Sequence, residues 1–263
     1  MYQILVMALN VVERYQYIIH KLNELGVVSV NTLSEELKVS TVTIRKDLIV
    51  LESKGLLIRN HGGASSIEAF SIPQPRPLID KKKSNTEPKR RIGKAAVSFL
   101  EENDTIIIAS GTTVIEFAYN INPQKNLTVL SSTVDVSKVL SNCPGVEVIQ
   151  LGGILRKSSN SVIGSFAEKM LSELTFNKLF LGIDGIDIEY GITTTSFMEA
   201  SLNQVMIKAS QQVIVLADST KFGRKSFGKI CGVEDVDIII TDKMVDKDFK
   251  QALENIGIKV ITV

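Results

Sequence analysis

From residue 89 onward the chain alternates two periods. Short β-branched apolar runs at 105–109, 127–131, 146–151, 178–183, 212–217, 236–241 and 259–263 read as strands buried on both faces. Helical patterns at 89–100, 114–120, 134–141, 166–174, 197–209 and 247–256 separate them. Parallel neighbours need such a crossover, so the pattern specifies an α/β unit, an open parallel sheet covered on both faces. Ligands of such sheets sit beyond the carboxyl ends of the strands, so the residues that follow each strand matter most.

The front of the chain follows another rule. Tyr15, Ile18, Ile19, Leu22 and Leu25 mark one buried helix face, which Gly26 would end. A second short helix is expected over 32–38, capped by Asn31, with Leu33 and Leu37 inward. Ser40 is a good N-cap for a third helix over 41–54, with Ile44, Leu48 and Leu51 on one stripe and Gly55 behind it. A strand at 56–59 and a Gly62-Gly63 turn then outline a β-wing. The domains read as a winged helix-turn-helix over 11–64, a linker over 65–88 and the α/β unit over 89–263.

Pro73, Pro75 and Pro77 favour extended backbone in the linker. Net charge is only +1, yet residues 71–91 hold seven Lys and Arg against Asp80 and Glu87, an excess of five. That stretch is a solvated hinge whose charge can also meet phosphate. With 44% hydrophobic residues and mean hydropathy +0.16, whole-chain disorder is excluded. Two cysteines and two histidines argue against a disulfide framework or a zinc site, and no cofactor is expected. No apolar run approaches the ~20 residues that cross a bilayer. The opening MYQILVMALNVV lacks a basic n-region and a cleavage site. It reads as a helical extension or an early start codon, and the expectation is a cytoplasmic protein with no membrane partner.

Opposite the apolar stripe of the third helix stand Val42, Thr43 and Lys46, flanked by Arg45, with Ser40 and Thr41 at its start. Arg and Lys donate to guanine edges, Thr donates or accepts, and Val or Thr methyls pack on thymine, so this face suits a major groove. Arg59 and His61 on the wing would touch the DNA backbone or minor groove. The plainer alternative is a three-helix packing module with a solvated polar face.

In the α/β unit, Ser110, Gly111, Thr112 and Thr113 join a strand to a helix start, where free N–H groups, helix dipole and hydroxyls suit a phosphate. A tight turn needing Gly111 would look the same. The theme repeats at Ser131–Ser132–Thr133, at Asp184 to Asp187 and at Asp218 to Lys221, which should converge on one rim. Hydroxyls would hold phosphate oxygens, Asp184 would accept from sugar hydroxyls, and Lys221 would neutralise charge. Gly152 and Gly153 would bring backbone near the ligand, with Arg156 as a mobile partner.

Residues 13–64, above all VSTVTIRKDLIVLESKGLLIRNHGGA at 39–64, resemble the winged helix-turn-helix of DeoR-family bacterial repressors. The remainder, from about residue 89, is similar to the ribose-5-phosphate isomerase-like fold shared by that family's effector domain. The resemblance implies operator DNA and a phosphorylated sugar as partners, and a homodimer or homotetramer. FLGIDGIDIEYGITT and ALENIGIKVITV are most similar to regulators of N-acetylgalactosamine or related amino-sugar use, which points to an amino-sugar or galactose-pathway phosphate. Two departures stand out. The family usually has two arginines where this chain has Arg45 and Lys46, and a Lys loses bidentate geometry. It also commonly has Asp where Ala109 stands. Among the isomerases the acidic loop is followed by a Lys-Gly-Gly segment and a catalytic Glu. This chain has no such segment, although Glu199 remains a potential carboxylate. A binding pocket without turnover is expected, the rival being an isomerase-like enzyme with a DNA-binding appendage.

Overall fold

The structure is a computed structural model and describes residues 10–25, 27–60, 62–65, 78–122 and 126–263. Helix α1 (Val11–Leu25) buries Ile18 and Leu22 against α2 (Val30–Leu37) and α3 (Thr41–Ser53), which contribute Leu33, Leu37, Ile44, Leu48 and Leu51. Arg14 of α1 reaches the buried carboxylate of Asp47 on α3, Nη2 to Oδ1 2.9 Å, which pins the first helix across the third. Ser40 caps α3 as its sequence suggests, accepting from Thr43 N–H at 3.1 Å.

The cap of α2 is Ser29 rather than Asn31, and its Oγ accepts from Thr32 N–H at 3.0 Å. The cause is a strand that the periodicity does not reveal. β1 (Val27–Ser29) pairs antiparallel with β3 (Gly63–Ser65), which pairs with β2 (Ile58–Asn60), so Ser29 ends an extended segment in cap geometry. The first wing strand therefore begins at Ile58 instead of residue 56.

In the α/β unit the sheet order is β15-β14-β12-β9-β4-β5-β6, every pairing parallel. The strands are β4 (Thr105–Ile108), β5 (Leu127–Ser131), β6 (Val146–Gln150), β9 (Phe176–Gly182), β12 (Ser210–Leu216), β14 (Ile238–Thr241) and β15 (Lys259–Thr262). They fall on the seven expected runs, with ends shifted by up to two residues. One face packs on α5 (Thr86–Ala96), α6 (Thr112–Asn120) and α7 (Val134–Leu140), where Phe117 and Phe180 meet with ring centroids 4.2 Å apart. Hydrophobic residues of α8 (Ser165–Ser172), α9 (Phe197–Lys208) and α10 (Lys247–Asn255) close the other. Each layer hides the apolar face of the sheet, the main favourable term for such a fold.

Three additions lie outside the alternating pattern. A hairpin, β7 (Ile154–Arg156) and β8 (Ser161–Ile163), follows β6. An antiparallel sheet joins β10 (Gly185–Asp187), β11 (Gly191–Thr194) and β13 (Gly228–Cys231). Helix α4 (Leu78–Lys83) starts directly after Pro77, within the stretch read as linker. The three prolines lie outside the described residues, but the end of that stretch is folded onto the sheet. Among the described residues no helix is long and apolar enough to cross a membrane.

Candidate functional site

On α3 the face opposite the core is open. Val42 is 57% exposed, Arg45 and Lys46 are exposed, and Thr41 and Thr43 are half-buried. The Ser40 and Thr43 hydroxyls lie 2.9 Å apart at the helix start, so both serve the cap. Arg59 is less free than its position suggests. Its Nε donates to Glu52 Oε2 at 2.8 Å and its backbone N–H to Oε1 at 3.0 Å, tying the wing strand to the end of α3. The same contacts hold the Glu52 carboxyl below its ordinary range. His61 lies outside the described residues.

At the carboxyl edge of the sheet, buried Ala109 follows β4, and Ser110 and Gly111 turn the chain into α6. Gly111 has φ +135°, a conformation that excludes a side chain at little cost only for glycine, and it offers no side-chain cap. The first-turn N–H groups of α6, beginning at Thr112 and Thr113, therefore have no capping side chain, and the helix dipole adds to their pull on an anion.

Beside this turn, Asp184 follows β9. Its Oδ2 accepts from Thr194 Oγ1, Thr195 N–H and Thr195 Oγ1, each at 3.2 Å. Burial disfavours its charge, but the ammonium groups of Lys81 and Lys221 outweigh burial and hold the carboxyl well below the usual carboxylate range. Asp218, after β12, is buried. Its Oδ1 accepts from Thr220 N–H and from Asn85 Nδ2 at 3.1 Å, whereas its Oδ2 has no hydrogen-bond partner. Thr241 Oγ1, at the end of neighbouring β14, is likewise buried and unpartnered. Two buried polar atoms without partners on adjacent strand ends, a carboxylate oxygen and a hydroxyl, are costly unless a ligand or water satisfies them.

The other expected residues divide. Ser131 Oγ is fully buried and donates to Ile108 O at 2.9 Å, so it ties β5 to β4 instead of facing the rim. Ser132 is buried and its carbonyl accepts from Val162 N–H at 2.7 Å. Gly152 and Gly153 are exposed in the connection to β7. Glu199, in the first turn of α9, is buried, accepting from Ser161 Oγ at 3.0 Å and from Arg156 Nη1 at 3.4 Å. Arg156 therefore pairs with Glu199. The Asp184 and Glu199 groups share one rim through the short segment 194–199.

Sequence reasoning passed over Lys81, Asn85 and Lys89, because lysines in a proline-flanked basic stretch read as solvated charge. All three face the rim. Lys81 Nζ lies 2.7 Å from Asp184 Oδ1. Lys89 is buried, donates to the carbonyls of Lys81 and Ser84 at 2.6 and 2.7 Å, and lines a cavity of about 160 Å³ with Lys82 and Thr112. Burial lowers its ammonium to about 8, against the pull of Asp218 and with the push of Lys221 and Lys81.

Two family models match the chain: the DeoR-like helix-turn-helix domain over residues 14–70 and the DeoR C terminal sensor domain over 84–243. A repressor named for an aga operon in Escherichia coli O157:H7 is 38% identical over 95% of this chain and 93% of its own. The lactose phosphotransferase system repressor of Staphylococcus epidermidis is 32% identical over 94% of this chain and 98% of its own. Among solved structures, ribose 5-phosphate isomerase A from Methanocaldococcus jannaschii aligns with TM-score 0.41 and 14% identity over 54% of this chain and 56% of that one. Both of these curated relatives are named as repressors. The chain therefore belongs to the DeoR family of transcriptional regulators, a DNA-binding regulator and not an isomerase.

Proposed function

We propose that the protein represses a sugar-catabolism operon and releases its operator when a phosphorylated sugar binds the rim of the sensor domain. The observation that carries this reading is the uncapped start of α6 beside the Asp184 carboxylate on the neighbouring strand end, with a second buried carboxylate, Asp218, whose Oδ2 has no partner, one strand further on. Such a rim offers acceptors to sugar hydroxyls and N–H groups to a phosphate. In this reading Ser110, Gly111, Thr112, Thr113 and Lys221 take the phosphate, Asp184 and Asp218 take hydroxyls, and Ser131, Ser132, Gly152, Gly153 and Glu199 shape the wall. Ser40 to Thr43, Arg45, Lys46, Arg59 and His61 meet DNA, in a homodimer or homotetramer. The resemblance of 180–194 and 252–263 to amino-sugar regulators and the lactose phosphotransferase name of one relative favour an amino-sugar or galactose-pathway phosphate.

The test is a gel-shift titration on DNA from upstream of its own and neighbouring catabolic genes. Galactosamine 6-phosphate, tagatose 6-phosphate and glucose 6-phosphate are each added in turn. Retarded DNA that one of these frees, and that the unphosphorylated sugar does not, is the expected result. Binding that none of them alters would remove the sugar phosphate from the proposal.

A further inference from the structure

Helix α4 lies across the mouth of the rim. Its Lys81 pairs with Asp184 after β9, and its Lys82 Nζ lies 3.2 Å from Asp135 Oδ2, in the first turn of α7 beyond β5. In the sheet β4 stands between β9 and β5. The two ion pairs therefore carry α4 over the end of β4, the strand that leads into Ser110–Thr113. Behind it, Asn85 Nδ2 holds Asp218 Oδ1 and Lys89 Nζ caps the α4 carbonyls, so the whole stretch 78–89 is tied to the rim. The same stretch is the first described piece of sensor-side backbone after residues 66–77, which lead from the wing.

We infer that Lys81 is a specificity-determining residue of the sensor: it pairs with Asp184 and yields it only to a ligand that brings its own hydrogen-bond donors. The inference rests on the rim being the effector site, as proposed above. An ion pair only partly exposed to solvent, with the Asp184 side chain at 14% exposure, is not broken by a phosphate ion, which repels the carboxylate it would have to free. A sugar hydroxyl can replace the ammonium on Asp184 while the attached phosphate occupies the start of α6. Inorganic phosphate satisfies one half of the site and leaves α4 in place. A sugar phosphate satisfies both halves, lifts α4 and moves the segment that leads back to the winged domain. Because a ligand shifts an equilibrium only through its differential affinity for two states, Lys81 supplies the difference.

The experiment uses the full chain as wild type, Lys81→Met and Lys81→Arg. Calorimetry with galactosamine 6-phosphate, tagatose 6-phosphate, glucose 6-phosphate and inorganic phosphate measures binding, gel shift measures operator release, and hydrogen exchange follows residues 78–89. In the wild type the bound sugar phosphate should speed exchange at 78–83, and inorganic phosphate should not. Lys81→Met should exchange fast with or without ligand, bind the sugar phosphate at least as tightly as wild type, and lose most of the ligand-driven fall in operator affinity. Lys81→Arg should restore the coupling. Tenfold weaker sugar-phosphate binding by Lys81→Met would make Lys81 a ligand and overturn the inference, as would unaltered release or slower exchange at 78–83 in the liganded wild type. If the wild type binds none of the three sugar phosphates, the reading of the rim fails first, and the inference falls with it.

Discussion

Arg45 and Lys46 are adjacent, exposed and both cationic, yet they can do different things in a groove. A guanidinium presents two parallel donors that match guanine O6 and N7, whereas an ammonium is a point charge that suits phosphate. Arg45→Ala should therefore cost about 1–3 kcal/mol of operator affinity and relax specificity at one position. Lys46→Ala should weaken all sequences alike and reduce the salt slope by about 1. Competition gel shifts against operator variants, with salt titrations, distinguish the two, and unchanged binding by Arg45→Ala would remove this face from recognition. In the sensor, the Thr112 side chain starts α6 beside the cavity that Lys89 lines. Thr112→Val keeps the shape and removes a hydroxyl, so the expected product is a repressor that still binds operator and ignores the sugar phosphate. Normal induction would place the phosphate elsewhere on the rim.

Among the elements, the fit of α5 against α6 is set by one residue. A Cβ built on Gly93 would lie 2.6 Å from the backbone of Glu116 and Phe117, and backbone cannot yield as the tip of a side chain can. Gly93→Ala gains helix propensity but forces the helices apart above the Phe117–Phe180 contact, so a net loss of about 1–3 kcal/mol is expected in urea unfolding. A neutral or stabilising result would mean that the helices have room to separate. The major strands were legible because parallel strands buried on both faces leave continuous runs such as Ile106, Ile107 and Ile108, which no exposed element would carry. β1 was not legible, since three residues are too few to show a period, and with it went the cap at Ser29. The strand-end residues were legible as chemistry but not as geometry. Serine in SST reads the same whether its hydroxyl faces a ligand or, as with Ser131, the carbonyl of the next strand. Lys81 was illegible for a different reason: its partner Asp184 lies about a hundred residues away, and only the folded sheet brings the two together.

At the scale of the whole molecule, one winged domain reads few base pairs, and useful specificity requires two on adjacent half-sites. We propose that the second copy docks on an exposed apolar face of the sensor domain. Phe166, Phe197 and Phe227 are 80%, 66% and 61% exposed, and Ile154 and Leu155 of β7 are more than half or half exposed. The elements that carry these side chains adjoin. Ile154 reaches the Gly164 turn that starts α8, Glu168 of α8 accepts from Ser201 of α9 at 2.7 Å, and Gly228, next to Phe227, abuts the Ser196 carbonyl before Phe197. Three aromatic rings so exposed present on the order of 400 Å² of apolar area, about half of what one side of a standard interface buries. Phe166→Glu combined with Phe197→Glu places charge in the middle of that surface without touching α3 or the strand-end carboxylates. Light scattering should show the wild type as a dimer or tetramer and the double variant at a lower multiple of 28.9 kDa. Operator affinity of the variant should fall by more than tenfold, while a single half-site, bound weakly by both, should not discriminate them. A wild-type monomer, or a double variant that keeps both its mass and its operator affinity, would show that the second winged domain is recruited through another face.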